Sequence, residues 1–237
     1  MINILLNSTN FDQPWAAETL VQILKPHMRT VILPLSYDYG WASDADDWRL
    51  RYDDDSAYSY DLLRPLRSYG IGGEDISVLD YYSDDPEEME RRILRSDLLV
   101  LVGEDPDACM ERLDDLCLTG TIRSYNGIVM GLSAGSKIQQ EAYFKTIDED
   151  MEFSYRQGLG LLHGFDLDTH YVQDVFHLTG LIRSIETQNL PVAVLPEKGG
   201  MLVGGNEFVL MGEAFIAGVN DLDELYSLYE AERDREF

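Results

Sequence analysis

Ser133 stands in Gly131-Leu132-Ser133-Ala134-Gly135, after an apolar run that begins at Gly127 and directly before a helix-compatible segment. A G-x-S-x-G element between a buried strand and a helix holds its serine on a tight turn whose backbone angles demand small neighbours. The turn exposes Oγ at a helix N-terminus and brings backbone N–H groups to where an oxyanion would form. The chemistry this allows is acyl transfer through a serine nucleophile, provided that a base and an acid reach the same place.

Four histidines could supply the base: His27, His163, His170 and His177. His27 follows Pro26 and reads as a helix-end residue. His170 closes the alternating run in GFDLDTHYVQ, where a parallel strand would deliver it to the edge that carries the elbow. His163 precedes that run and His177 falls in the following helical segment. Acids are abundant. Glu197, which ends the apolar strand of VAVLPEKGG, competes with Asp148, Asp166 and Asp168 as the carboxylate that orients the base.

The elements that must position these groups alternate along the chain. Strands are expected at Ile2–Leu6, Val31–Leu35, Ile76–Tyr81, Asp97–Gly103, Gly127–Leu132, Gly164–His170 and Val192–Leu195. Helices are expected at Trp15–Lys25, Tyr58–Tyr69, Pro86–Arg95, Ala108–Leu116, Ala134–Tyr143, Val175–Gln188 and Asp221–Glu230. Met201–Gly204 and Phe208–Met211 read as an antiparallel hairpin turning at GNE. This order implies an open, mostly parallel sheet with helices on both faces, a three-layer α/β/α fold. Ligands of such sheets bind beyond the carboxyl ends of the strands, where loops 103–107 and 131–135 fall. No repeat or linker interrupts residues 1–237, so a single domain is expected. The acidic, aromatic stretch Tyr37–Ser59 reads as one long irregular connection, either a surface excursion or a lid rimming the site.

Composition narrows the partners. The net charge is -26, from 18 basic against 44 acidic residues, which opposes nucleic-acid phosphates and anionic membranes. No segment offers the ~20 apolar residues of a membrane helix, and the N-terminal MINILLNSTNFDQPW lacks the basic region of a signal peptide, so a cytoplasmic address is expected. Cys109 and Cys117 are too far apart on a helical stretch for a disulfide, and no Cys/His metal spacing exists; neither a metal nor a cofactor is expected. An ordinary α/β-hydrolase would place its histidine after the acid and near the C-terminus and would carry an HGGG-type loop, and this chain has neither.

With these residues in place, the chain resembles the peptidase E and cyanophycinase family of serine peptidases, which share the flavodoxin-like fold of class I glutamine amidotransferases. The resemblance runs through INILLNST, GLSAGS, GFDLDTHY and AVLPEKGGMLVGGNEFVLMG. It implies Ser133 as nucleophile, His170 as general base and Glu197 as orienting acid, with Asp148 the alternative third member. It also implies a small peptide or amide substrate, hydrolysed through a covalent acyl-enzyme by a monomer or homodimer. The oxyanion would be held by the N–H of Ala134 and one from the loop of Gly103 and Glu104.

Two departures stand out. Where the family has a glycine-rich G-G-G-N-T loop, this chain reads Gly103-Glu104-Asp105-Pro106-Asp107. Where cyanophycinases have H-F-x-x-R-x-R, it reads His170-Tyr171-Val172-Gln173-Asp174-Val175-Phe176, so neither cyanophycin nor an N-terminal aspartate carries over as substrate. The altered loop raises the alternative of a catalytically impaired binding or regulatory protein, and the same chemistry on esters would make an esterase. A glutamine amidotransferase would need cysteine at position 133.

Overall fold

In the computed structural model, residues 37–43, 53–55, 146, 148–151 and 237 are not described, and all others are. Period-two alternation along the apolar strands decides the layering. In β4 (Leu98–Gly103), Leu98, Val100 and Val102 pack on one face of the sheet and Leu99 and Leu101 on the other. The first face receives Leu20 of α1 (Pro14–Leu20) and Leu62 and Leu66 of α3 (Ala57–Ser68). The second receives Met89 and Ile93 of α4 (Pro86–Arg95), Leu113 of α5 (Pro106–Asp115) and Ile122 of α6 (Thr119–Ser124). Strands buried on both faces by helices are what an unbroken LLVLVG run demands.

The main sheet has seven strands in the order β11-β10-β1-β5-β4-β2-β3. Five are mutually parallel: β1 (Ile2–Leu6), β2 (Thr30–Pro34), β3 (Ile76–Val78), β4 and β5 (Ile128–Ser133). The hairpin of β10 (Gly199–Gly204) and β11 (Glu207–Gly212) joins antiparallel at the edge of β1. The three-layer α/β/α architecture with a mostly parallel central sheet is therefore as the sequence predicts.

Three local expectations change. The strands at β8 (Asp166–Thr169) and β9 (Val192–Leu195) do not extend the main sheet; with β12 (Phe215–Ala217) they form a separate sheet in the order β12-β9-β8. The place beside β1 is taken by β10, whose Gly200 lies opposite Leu6. The helix expected over Ala134–Tyr143 stops after one turn, as α7 (Ala134–Lys137), and Ala142–Phe144 pairs instead as β6 with β7 (Tyr155–Gln157). Within the stretch read as irregular, Asp44 caps α2 (Ala45–Tyr52) by accepting from the Asp46 and Asp47 N–H groups, and the buried Trp48 and Tyr52 seat that helix. The rest of the chain runs through α8 (Val175–Gln188) to α9 (Leu222–Glu236), which pack on each other and on the small sheet. Among the described residues no helix is long and apolar enough to cross a membrane.

Candidate active site

The elbow is made by sterics. Ser133 sits at φ 54°, ψ −116°, a conformation that stores roughly 1–3 kcal/mol in a non-glycine residue. Both flanking glycines are required by close approach. A Cβ on Gly135 would stand 2.1 Å from the Leu101 carbonyl oxygen, and one on Gly131 would stand 2.3 Å from that of Gly135. Ser136 pins the turn to β1: its Oγ accepts from the Leu6 N–H at 2.9 Å and lies 2.8 Å from the Gly131 carbonyl oxygen, within reach as its donor.

His170 follows the last residue of β8 and also has a left-handed backbone, at φ 56°. Its Nε2 lies 2.7 Å from Ser133 Oγ. Because β8 and β9 run parallel with Thr169 opposite Leu195, His170 and the Glu197 turn emerge side by side. Nδ1 of His170 is 3.5 Å from Glu197 Oε2, an ion-pair distance longer than an ordinary hydrogen bond. Both side chains are open to solvent. Ser133 thus comes from the large sheet, while His170 and Glu197 come from the small one.

The competing residues are occupied elsewhere. Asp166 accepts from Tyr155 Oη at 2.5 Å and Ser184 Oγ at 2.6 Å in the interior. His163 pairs with Glu141 on the surface at 3.1 Å, and both line a separate cavity of about 470 Å³ that contains no nucleophile from the elbow. His27 lies 3.3 Å from Asp75, and with Glu74 these two form a surface group with ligand atoms within 4.8 Å of one another, none of it lining the Ser133 cavity. Asp148 lies outside the described residues.

Sequence reasoning passed over a second histidine–carboxylate pair. Asp168 Oδ2 is 2.6 Å from His177 Nδ1, and its other oxygen is 3.5 Å from Lys137 Nζ. All three side chains are nearly fully buried. Burial holds the Lys137 pKa below its usual value, with Asp168 acting in the opposite direction. A signal for this cluster exists in the spacing. Asp168 lies in β8 two residues before His170, and Lys137 follows Ser133 by four residues at the end of α7, so both sit close in sequence to the proposed pair. Lys137 and His177 line a cavity of about 260 Å³ together with Ser133, His170 and Lys145.

On the other side of Ser133 the structure departs from expectation. The Glu104 N–H, expected to face the oxyanion, donates instead to Ser36 Oγ at 2.9 Å. The Asp105 N–H converges on the same oxygen, also at 2.9 Å. The strand order explains the direction: β4 lies between β5 and β2, with Gly103 beside Ser133 on one side and Ser36 following β2 on the other. The acids are not raw charge either. Arg51 of α2 pairs with Glu104 at 2.9 Å, which brings that helix to the rim of the cavity. Asp105 caps α5 by accepting from the Ala108 N–H and pairs with Lys145 at 2.8 Å. Asp105-Pro106 is thus an N-cap followed by a first-turn proline, a local reason for departing from a glycine-rich loop. Beneath the loop, Cys109 Sγ would be 2.2 Å from any Cβ on Gly103, and burial pushes its thiol up to about 12.

Solved structures share this architecture. A protein named as a peptidase E from Listeria monocytogenes EGD-e superposes with a TM-score of 0.63 at 16% identity, over 88% of this chain and 96% of its own. The chain has that fold. A peptidase from an acI-B1 Actinobacterium gives a TM-score of 0.62 at 13% identity, covering 92% of this chain and 90% of its own. No protein-family model and no curated protein matches the chain. At these identities the likeness is one of fold, and the chemistry of the peptidase E-like scaffold must be argued from the side chains.

Proposed function

We propose that the protein is a serine-type peptidase that hydrolyses peptide or amide bonds of small substrates. The observation that carries the reading is the 2.7 Å contact between His170 Nε2 and the Oγ of a serine held in a strained elbow. In the first step His170 takes the Ser133 proton while Oγ attacks the carbonyl carbon. The imidazolium is stabilised by the neighbouring Glu197 carboxylate, and the oxyanion forms against the Ala134 N–H and the Gly103 end of the loop. His170 then protonates the leaving amine as the C–N bond breaks, which leaves the acyl group on Ser133. Water, deprotonated by His170, attacks the acyl-enzyme, and the proton returns to Ser133 as the acid departs.

A second reading, a binding or regulatory protein on the same fold, is favoured by the Ser36 contacts, which turn two loop N–H groups away from the nucleophile. Labelling by a fluorophosphonate probe separates the two when measured beside hydrolysis of a dipeptide and amide panel. Labelling and turnover, both lost in Ser133→Ala, are the expected results. An unlabelled wild type that binds peptides without cleaving them would establish the second reading. Turnover of p-nitrophenyl acetate with none on any amide would make the protein an esterase.

A further inference from the structure

Placing Ser133 on one sheet and its proposed partners on another makes the joint between the sheets part of the site. Most of that joint is apolar: Leu5 and Met201 of the large sheet pack on Leu167, Ala193 and Leu195 of the small one. Apolar packing is non-directional, so it draws the sheets together without fixing how far one slides on the other. Directional contacts must do that.

At the end of β1, the buried Asn7 reaches across the joint. Its Nδ2 donates to the Leu195 carbonyl oxygen at 2.5 Å and to that of Pro196 at 2.8 Å. Carbonyl oxygens only accept, so the amide orientation is settled by its partners. The Leu195 oxygen also accepts from the N–H of Tyr171, the residue after His170. The Pro196 oxygen also accepts from the Gly199 N–H, which closes the turn that carries Glu197. Next along the chain, the single hydroxyl proton of Ser8 is shared between Asn10 Oδ1 at 2.9 Å and the Glu197 carbonyl oxygen at 3.1 Å, a weaker tie to the same turn. Asn7 Oδ1 is buried and has no hydrogen-bond partner among the described residues, so the side chain is committed to these two carbonyls alone.

We infer that Asn7 is a positioning residue: through its side-chain amide it sets the small sheet, and with it the His170–Glu197 pair, at the distance from which His170 reaches Ser133. The inference rests on the serine-peptidase reading. It is specific to the small sheet, because β1 holds the elbow through a different residue, Ser136.

The test is Asn7→Ala, with Ser8→Ala beside it. Asn7→Ala leaves both carbonyls bonded, to Tyr171 and Gly199, so it removes the cross-sheet donor without orphaning its acceptors. The expected result is a fall in kcat of about tenfold with KM changed less than about twofold, as for a small misplacement of catalytic groups. In the double variant with His170→Ala, Asn7→Ala adds less than about threefold, because its action runs through His170. The His170 ring signals, followed by NMR, move in Asn7→Ala in the same direction as in Ser133→Ala, because both weaken the contact of Nε2 with Oγ, a change that general loosening elsewhere would not produce. Ser8→Ala produces a smaller loss of the same kind.

An active wild type together with unchanged kcat and unchanged His170 ring signals in folded Asn7→Ala overturns the positioning role and leaves the peptidase reading intact. An inactive, unlabelled wild type sinks that reading instead, and the His170 ring signals still decide whether Asn7 places the pair. If Asn7→Ala does not fold, Ser8→Ala carries the same NMR measurement, and unchanged His170 ring signals there count against the inference.

Discussion

The two flanks of Ser133 are built by opposite means. On the base side, His170 and Glu197 are exposed, come from a second sheet, and approach the nucleophile through solvent-open contacts of 2.7 and 3.5 Å. On the oxyanion side, the 103–105 loop is locked from within by Ser36, Arg51 and Lys145. The proposed machinery for moving protons has few contacts, whereas the loop that should meet the developing charge is tied to the interior and turns two of its N–H groups elsewhere. Catalytic power in such a site would rest on the base and on the elbow N–H, with less help from the loop than a glycine-rich turn provides.

The sharpest way to break the comparison is to remove the base. His170→Ala is expected to lower kcat/KM by about a thousandfold or more, read against the same peptide panel. A drop of less than about tenfold would show that the base side does not drive the reaction.

Next in size is Asp168→Asn, which leaves Lys137 and His177 buried without their carboxylate. A loss of about 3–5 kcal/mol is expected from denaturant unfolding. The pH dependence of this variant follows from Lys137, whose pKa burial already depresses. Without Asp168 the folded state binds that proton still less readily than the unfolded chain. The variant should therefore gain stability as pH rises toward the ordinary lysine range, and a flat profile would contradict this.

Glu197→Gln should lower kcat by about ten- to a hundredfold, less than His170→Ala, because its contact is long and solvent-open. An effect as large as that of His170→Ala would mean that the pair tightens when substrate binds. Smallest in activity is Ser36→Ala. Leaving two loop N–H groups unpaired should cost about 1–3 kcal/mol of stability, with turnover per folded molecule changed less than about threefold. A large loss of turnover would show that the loop N–H groups do serve the oxyanion.

Much of this was legible in the residues, for physical reasons. Glycines spaced around Ser133 are demanded by contacts under 2.5 Å, so the motif carries its geometry with it. Ile2–Leu6, Pro86–Arg95, Val175–Gln188 and Val192–Leu195 have the bounds that periodicity and capping indicate. The division into two sheets was not legible, because alternation shows which face a side chain takes and not which strand lies alongside. The role of Ser36 was equally hidden, since a serine after a strand has no pattern that points to a loop distant in sequence. Asp105-Pro106 carries two patterns at once, a helix start and a departure from a glycine-rich loop, and the first is the one the structure uses. The buried Lys137–Asp168–His177 cluster joins α7, β8 and α8, so no single period along the chain brings its members together.

Assembly across a joint has a thermal consequence. The large sheet, covered by helices on both faces, should be among the last parts of the molecule to melt, whereas the small sheet is held to it by one apolar seam and a few polar bridges. On heating, hydrolysis should therefore fade several degrees before the far-ultraviolet circular dichroism of the whole chain changes, and return on cooling. Coincident loss of both signals would mean that the two sheets melt as one cooperative unit.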